Sequence, residues 1–214
     1  NEKGLGIFIS NGGAFAYPLT NRGFGLGVFV RAILEQCASI DQAIDLIKDL
    51  PVSFPYVFSI ADQHGNAMRA EWLDGKHCID IVNDSSECPY LCTTNHFLNP
   101  EMVPFNSYND ATTNGEPFLQ NSMTRYNLLK EFVDNHKPNI DNKQLKQLFS
   151  QEYPNGPNAH FYQEGFGTMY SLVTDLTELS VEICFGPPKY NEWVSLHPLN
   201  LMKEQYFEAT FPET

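Results

Sequence analysis

The feature that most limits the fold is a series of short apolar runs closed by tight turns, between residues 56 and 82. Residues 56–61 and 67–73 carry the aromatic and β-branched side chains that suit a pleated strand. Asp62-Gln63-His64-Gly65-Asn66 separates them, and Asp74-Gly75 separates the second from residues 77–82. Connections this short join only antiparallel neighbours. The spacing therefore predicts an antiparallel meander, extended by a further strand over residues 90–94.

The flanking sequence fills in the rest. Residues 4–10 are an apolar run ending at Asn11-Gly12-Gly13, which reads as a buried strand and a sharp turn. Leu26, Phe29, Val30, Ile33, Leu34 and Cys37 have helical spacing. Ser39 then caps a second helix, with Gln42 three residues on and Pro51 as its stop. Residues 98–120 read as loop, 120–136 and 142–149 as helices, and 150–167 as a Gly-, Pro- and Asn-rich connection. Strands are expected over 168–174 and 179–185, and an irregular tail after Gly186-Pro187-Pro188. Helices grouped between runs of strands predict an α+β fold of layered antiparallel sheets.

Charge and cysteine usage narrow the partners. Thirteen basic against 26 acidic residues give a net charge of −13, with no stripe of Lys or Arg, which excludes nucleic acid and anionic membrane as partners. No apolar stretch approaches the roughly 20 residues of a membrane span. Five scattered cysteines, at 37, 78, 88, 92 and 184, fit a reducing compartment, and the expected location is cytoplasmic. Cys88, Cys92 and His96 are evenly spaced, but strand positions four apart lie about 13 Å from one another. Zinc ligands each sit about 2 Å from the metal. No metal and no cofactor is expected.

Several motifs in a fixed order carry a family likeness. Asn1-Glu2-Lys3-Gly4-Leu5 opens the chain; Asn11 follows, then Thr94-Asn95-His96-Phe97, Ser122 with Arg125, and Thr168-Met169-Tyr170-Ser171-Leu172-Val173. Together they resemble the choloylglycine hydrolase superfamily, which includes bile-salt hydrolases and penicillin V acylases. The Thr-Asn-His-Phe form and the Thr-x-Tyr-Ser strand look closest to its acyl-coenzyme A:6-aminopenicillanic acid acyltransferase-like group. The resemblance implies a four-layer αββα sandwich of the N-terminal-nucleophile hydrolase type over one domain, residues 1–214, incomplete at its N-terminus. It also implies cleavage of a linear amide C–N bond, or acyl transfer from it, by an N-terminal cysteine whose own α-amine acts as base. An α-amine titrates near 7.7–8.0, close to the pH at which such a base must work.

That nucleophile is expected upstream, because Asn1 has an amide side chain and cannot attack. The chain by itself is then expected to be inactive, with an exposed strand edge covered by a second copy or by a missing N-terminal fragment. Among the remaining site residues, the resemblance makes Asn11 an oxyanion donor and Asn95 a second polar position holding a small-molecule amide substrate. Arg125 becomes a fixed cation near the nucleophile. Read without the family, Asn11 is a turn former, Asn95 ends a strand, and Arg125 is a helix charge. Two rival functions stand beside this one: a non-catalytic binding or structural domain that keeps the scaffold, and a thiol enzyme using Cys92 and His96.

Overall fold

The computed structural model describes residues 1–13, 17–19, 23–52, 54–107, 112–113, 115–197 and 205–212. They form two compact units, Asn1–Ala111 with Pro117–Met123, and Thr112–Glu116 with Thr124–Thr214.

The first unit is built on a four-stranded antiparallel sheet in the order β1 (Leu5–Asn11), β2 (Tyr56–Asp62), β3 (Ala67–Leu73), β4 (Lys76–Val82). Alternation assigns its two faces. Leu5, Phe58, Ile60, Met68, Ala70 and Trp72 form one core with two helices, α1 (Leu26–Gln36) and α2 (Ile40–Asp49). Phe29 and Ile33 of α1, and Ile40, Ala43 and Ile47 of α2, recur at three- and four-residue steps and supply the helical side of that core. The opposite face carries Val57, Ser59, Arg69, Glu71, Leu73, Cys78 and Asp80, by the register of β2, β3 and β4. Val57 and Leu73 of that face cluster with Phe97 and Met102.

Polar side chains tie the helices to the sheet. Asn1 brackets the start of β1: its Oδ1 accepts the N–H groups of Lys3 and Leu5, at 3.0 and 2.9 Å. Its Nδ2 donates to the carbonyls of Leu34 and Cys37, both at 2.8 Å, and so satisfies carbonyls that the end of α1 leaves unpaired. The opening motif thus does structural work that its sequence does not reveal. As expected, Ser39 caps α2, with its Oγ accepting from Gln42 N.

The second unit holds a three-stranded antiparallel sheet, β9 (Tyr170–Asp175), β10 (Ser180–Phe185) and β11 (Trp193–Leu196), ordered β11-β10-β9. Four two-residue strands, β5 (Thr112–Thr113), β6 (Glu116–Pro117), β7 (His160–Phe161) and β8 (Phe166–Gly167), make two minor ladders. Its helices are the greater part of α3 (Phe118–His136), from Thr124 on, and α4 (Asn142–Phe149). Asp141 and Gln144 form a capping box at the start of α4.

The α+β class holds, and the ladders that join β1 through β4, β7 to β8 and β9 through β11 are antiparallel. Two local expectations fail. Residues 90–94 form no strand; Thr93 meets the sheet through its hydroxyl, 2.8 Å from that of Ser59, instead of through a backbone ladder. The tail is not irregular throughout, since Trp193–Leu196 pairs with β10.

Asp62, at the end of β2, is 5% exposed and accepts N–H groups from Ile40, His64 and Asn66, at 3.0–3.1 Å. Burial alone would raise its carboxyl, but these bonds and the Asn66 amide outweigh it, and it titrates below its ordinary 3.8. A depressed folded value means stability that is present above the ordinary one and lost as pH falls through the depressed one. Asp62→Asn is expected to lower unfolding free energy by about 1–3 kcal/mol at neutral pH. It should also flatten the acid limb of stability, as measured by urea unfolding at a series of pH values.

Candidate functional site

The candidate site lies in the first unit, around the segment that follows Thr93. Thr94-Asn95-His96-Phe97 has no regular secondary structure, yet Thr94, His96 and Phe97 are buried. An extended segment inside a protein must find partners for its backbone polar groups outside any helix or ladder. Here side chains from three other elements supply them.

Ser122, in the turns of α3 that belong to the first unit, is fully buried. Its Oγ accepts the N–H of Asn95 at 2.8 Å and lies 2.8 Å from His96 Nδ1. The Thr94 hydroxyl donates to the Ser122 carbonyl at 3.0 Å. Asn106 brackets Phe97, with Oδ1 accepting Phe97 N–H at 2.9 Å and Nδ2 donating to Phe97 O at 3.0 Å. Glu71 of β3 accepts from Leu98 N at 2.7 Å through one oxygen and from Asn99 N at 3.1 Å through the other.

Glu71 is the buried charge of this arrangement, at 0% exposure. Arg69 Nε lies 3.2 Å from its Oε1, while the Arg69 guanidinium also pairs with Asp80 at 2.5 Å. Burial pushes the Glu71 carboxyl up, and that outweighs the Leu98 and Asn99 hydrogen bonds and the Arg69 charge, which pull it down.

Asn11 and Asn95 are brought together. The Asn95 Nδ2 donates to the Asn11 carbonyl at 3.3 Å. Gly12 explains how the chain gets there: a Cβ at this position would meet the Phe97 ring at 2.6 Å, so only glycine allows the turn after β1 to lie against this segment. Gly12 N–H also reaches Pro55 O at 2.7 Å. Asn11 is exposed and Asn95 half-buried, which leaves the pair at the surface of the unit.

Arg125 belongs to the second unit, where it is half-buried on α3. Its charge acts on Tyr153, whose hydroxyl bonds to Glu116. Burial is the main cause that pushes the Tyr153 phenol up, helped by Glu116 and opposed by Thr124 and Arg125. In the same unit Thr168, which opens the last motif, exchanges two bonds with Ala159: Thr168 N donates to Ala159 O, and Ala159 N to Thr168 Oγ1.

Three of the five thiols are poorly placed for attack. Cys37 and Cys184 are buried, and burial raises both. Cys78 is raised too, first by burial and then by the carboxylates of Glu101, Glu71 and Asp80. A raised thiol pKa removes the thiolate that nucleophilic attack requires. Ser122, though hydrogen-bonded to an imidazole, is sealed from solvent and so is no nucleophile either. The sequence motif had marked Ser122 only as a companion of Arg125, and it gave no sign of Glu71 or Asn106. A carboxylate in the middle of an apolar strand was the available signal for Glu71.

Residues 1–190 match the model of the family described as acyl-coenzyme A:6-aminopenicillanic acid acyl-transferase. Among solved structures, penicillin V acylase from Agrobacterium tumefaciens shares the fold, with a TM-score of 0.53 and 14% identity over 96% of this chain and 67% of its own. No curated protein matches the chain. Among the described residues, no helix is long and apolar enough to cross a membrane.

Glu71→Gln tests the carboxylate clamp. One amide oxygen can still accept an N–H, but the new NH2 then faces the second N–H donor, and Arg69 is left with Asp80 alone. The variant is expected to lose about 3 kcal/mol of unfolding free energy. Amide hydrogen exchange at Leu98 and Asn99 should accelerate more than that of β1. Wild-type protection at both amides would show that Glu71 does not hold this segment.

Proposed function

We propose that this chain, which belongs to the acyl-coenzyme A:6-aminopenicillanic acid acyl-transferase family, forms the substrate-holding part of an enzyme acting on linear amide C–N bonds. The enzyme hydrolyses the amide, or transfers its acyl group, through an acyl-enzyme on an N-terminal cysteine. The observation that carries this reading is the bond from Asn95 Nδ2 to the backbone carbonyl of Asn11, which holds the Asn95 carboxamide against the end of β1 at the surface of one unit. Neutral N–H donors of this kind suit an oxyanion, since charge appears on the carbonyl oxygen only as the tetrahedral intermediate forms.

In this reading the Asn11 side chain stabilises the oxyanion, and Asn95 holds the substrate carbonyl or shares that role. The thiol itself is assigned to sequence outside residues 1–214. Burial raises Cys37, Cys78 and Cys184. The name of the solved neighbour, penicillin V acylase, makes penicillin V the first substrate to try.

Full-length protein with its nucleophile processed is expected to cleave penicillin V or a related linear amide, measured as release of the free amine. The isolated 214-residue chain is expected to give no turnover. In the full-length enzyme, Asn95→Ala and Asn11→Ala are each expected to lower kcat by about 100- to 1,000-fold. Turnover by the isolated chain, or undiminished kcat in both variants, would overturn this reading.

A further inference from the structure

We infer that Ser122 is a positioning residue for Asn95, fixing from a neighbouring helix the backbone on which that carboxamide is carried. This role rests on the functional reading of Asn95 given above, and adds the residue that aims it.

Ser122 touches three consecutive residues. Its Oγ takes the Asn95 N–H at 2.8 Å and lies 2.8 Å from His96 Nδ1 and 3.1 Å from Thr94 Oγ1; its carbonyl takes the Thr94 hydroxyl at 3.0 Å. These contacts hold the Asn95 backbone on α3, while the Asn95 side chain reaches Asn11. A helix thereby fixes one end of the contact, and the end of β1 receives the other.

Proton accounting singles out Ser122 from its neighbours. The Thr94 hydroxyl spends its proton on the Ser122 carbonyl, so Thr94 Oγ1 is an acceptor to the rest of the cluster. Two arrangements then satisfy the geometry. With Nδ1 of His96 unprotonated, Ser122 donates to Nδ1. With Nδ1 protonated, it donates to Ser122 Oγ, and Ser122 turns its own proton to Thr94 Oγ1. In both arrangements a lone pair on Ser122 Oγ receives the Asn95 N–H. The hold on Asn95 is thus indifferent to the tautomer of His96 and depends on the serine oxygen. Placing a functional group within a fraction of an ångström requires a locked supporting contact of this kind.

The test is a double-mutant cycle in full-length, processed enzyme with penicillin V. Asn95→Ala, Ser122→Ala and the double variant are compared for kcat and KM. Ser122→Ala is expected to lower kcat by about tenfold or more with KM little changed, and the double variant to match Asn95→Ala within about twofold, because removing the aim of an absent side chain loses nothing further. Ser122→Thr, which restores a hydroxyl, is expected to recover part of the loss. Losses that multiply in the double variant, or an unaltered kcat in Ser122→Ala, would refute the positioning role while leaving the function standing. Full activity of Asn95→Ala would remove the functional reading itself, and the positioning role with it. Should Ser122→Ala not fold, Ser122→Cys, of similar size and a weak acceptor, carries the same cycle: a loss shared with Asn95→Ala supports the role, and a multiplying or absent loss refutes it.

Discussion

A stretch of chain without helix or strand stays in place only if its backbone N–H groups are matched, and between Asn95 and Asn99 four of them are matched by side chains. Asn95 is held by Ser122, Phe97 by Asn106, and Leu98 and Asn99 by the two oxygens of Glu71. Each partner comes from a different part of the first unit: α3, the loop after residue 105, and β3. An unmatched buried N–H costs about 1–3 kcal/mol, so this set of bonds decides the path of the segment more strongly than any packing preference does. The position of Asn95 follows from that path, and so does its contact with Asn11.

The fold and the site were legible to different depths. The meander was readable because its turns, Asp62 to Asn66 and Asp74-Gly75, sit between alternating runs, and the register that formed is the one such turns allow. The apolar spacing of α1 and α2 was equally plain, and Phe29, Ile33, Ala43 and Ile47 lie where it placed them. Residues 90–94 misled because β propensity in Tyr90 and Thr93-Thr94 says that a segment is extended, and cannot say that an edge is there to pair with. The pairing of Trp193–Leu196 with β10 was hidden for the converse reason: four residues after a Pro-rich turn carry too little pattern to stand out.

At the site, the motifs named Asn11 and Asn95 but could not say that they meet. That depends on Gly12, whose missing Cβ lets the turn after β1 lie against Phe97. In isolation, Asn11-Gly12-Gly13 reads as an ordinary turn, because the reason for glycine lies 85 residues along the chain. Arg125 illustrates the same limit. Its sequence context suggested a solvated helix charge, whereas it is half-buried and acts on a phenol paired with Glu116.

The Glu71 carboxyl is pushed up despite two N–H bonds and a guanidinium, so burial outweighs what those partners return. Ionising it therefore works against stability as pH rises through that raised value. A strand residue selected for packing alone would be apolar, and replacing a buried ion pair by hydrophobic groups is often neutral or stabilising. What a carboxylate offers instead is two acceptors at fixed separation, and here both are used on adjacent amides of one segment. Those amides, of Leu98 and Asn99, follow shortly after Asn95, whose own N–H is held by Ser122. A buried carboxylate shared between two adjacent amides thus fixes the course of Leu98 and Asn99 in a way that an apolar side chain, with no acceptor to offer, could not.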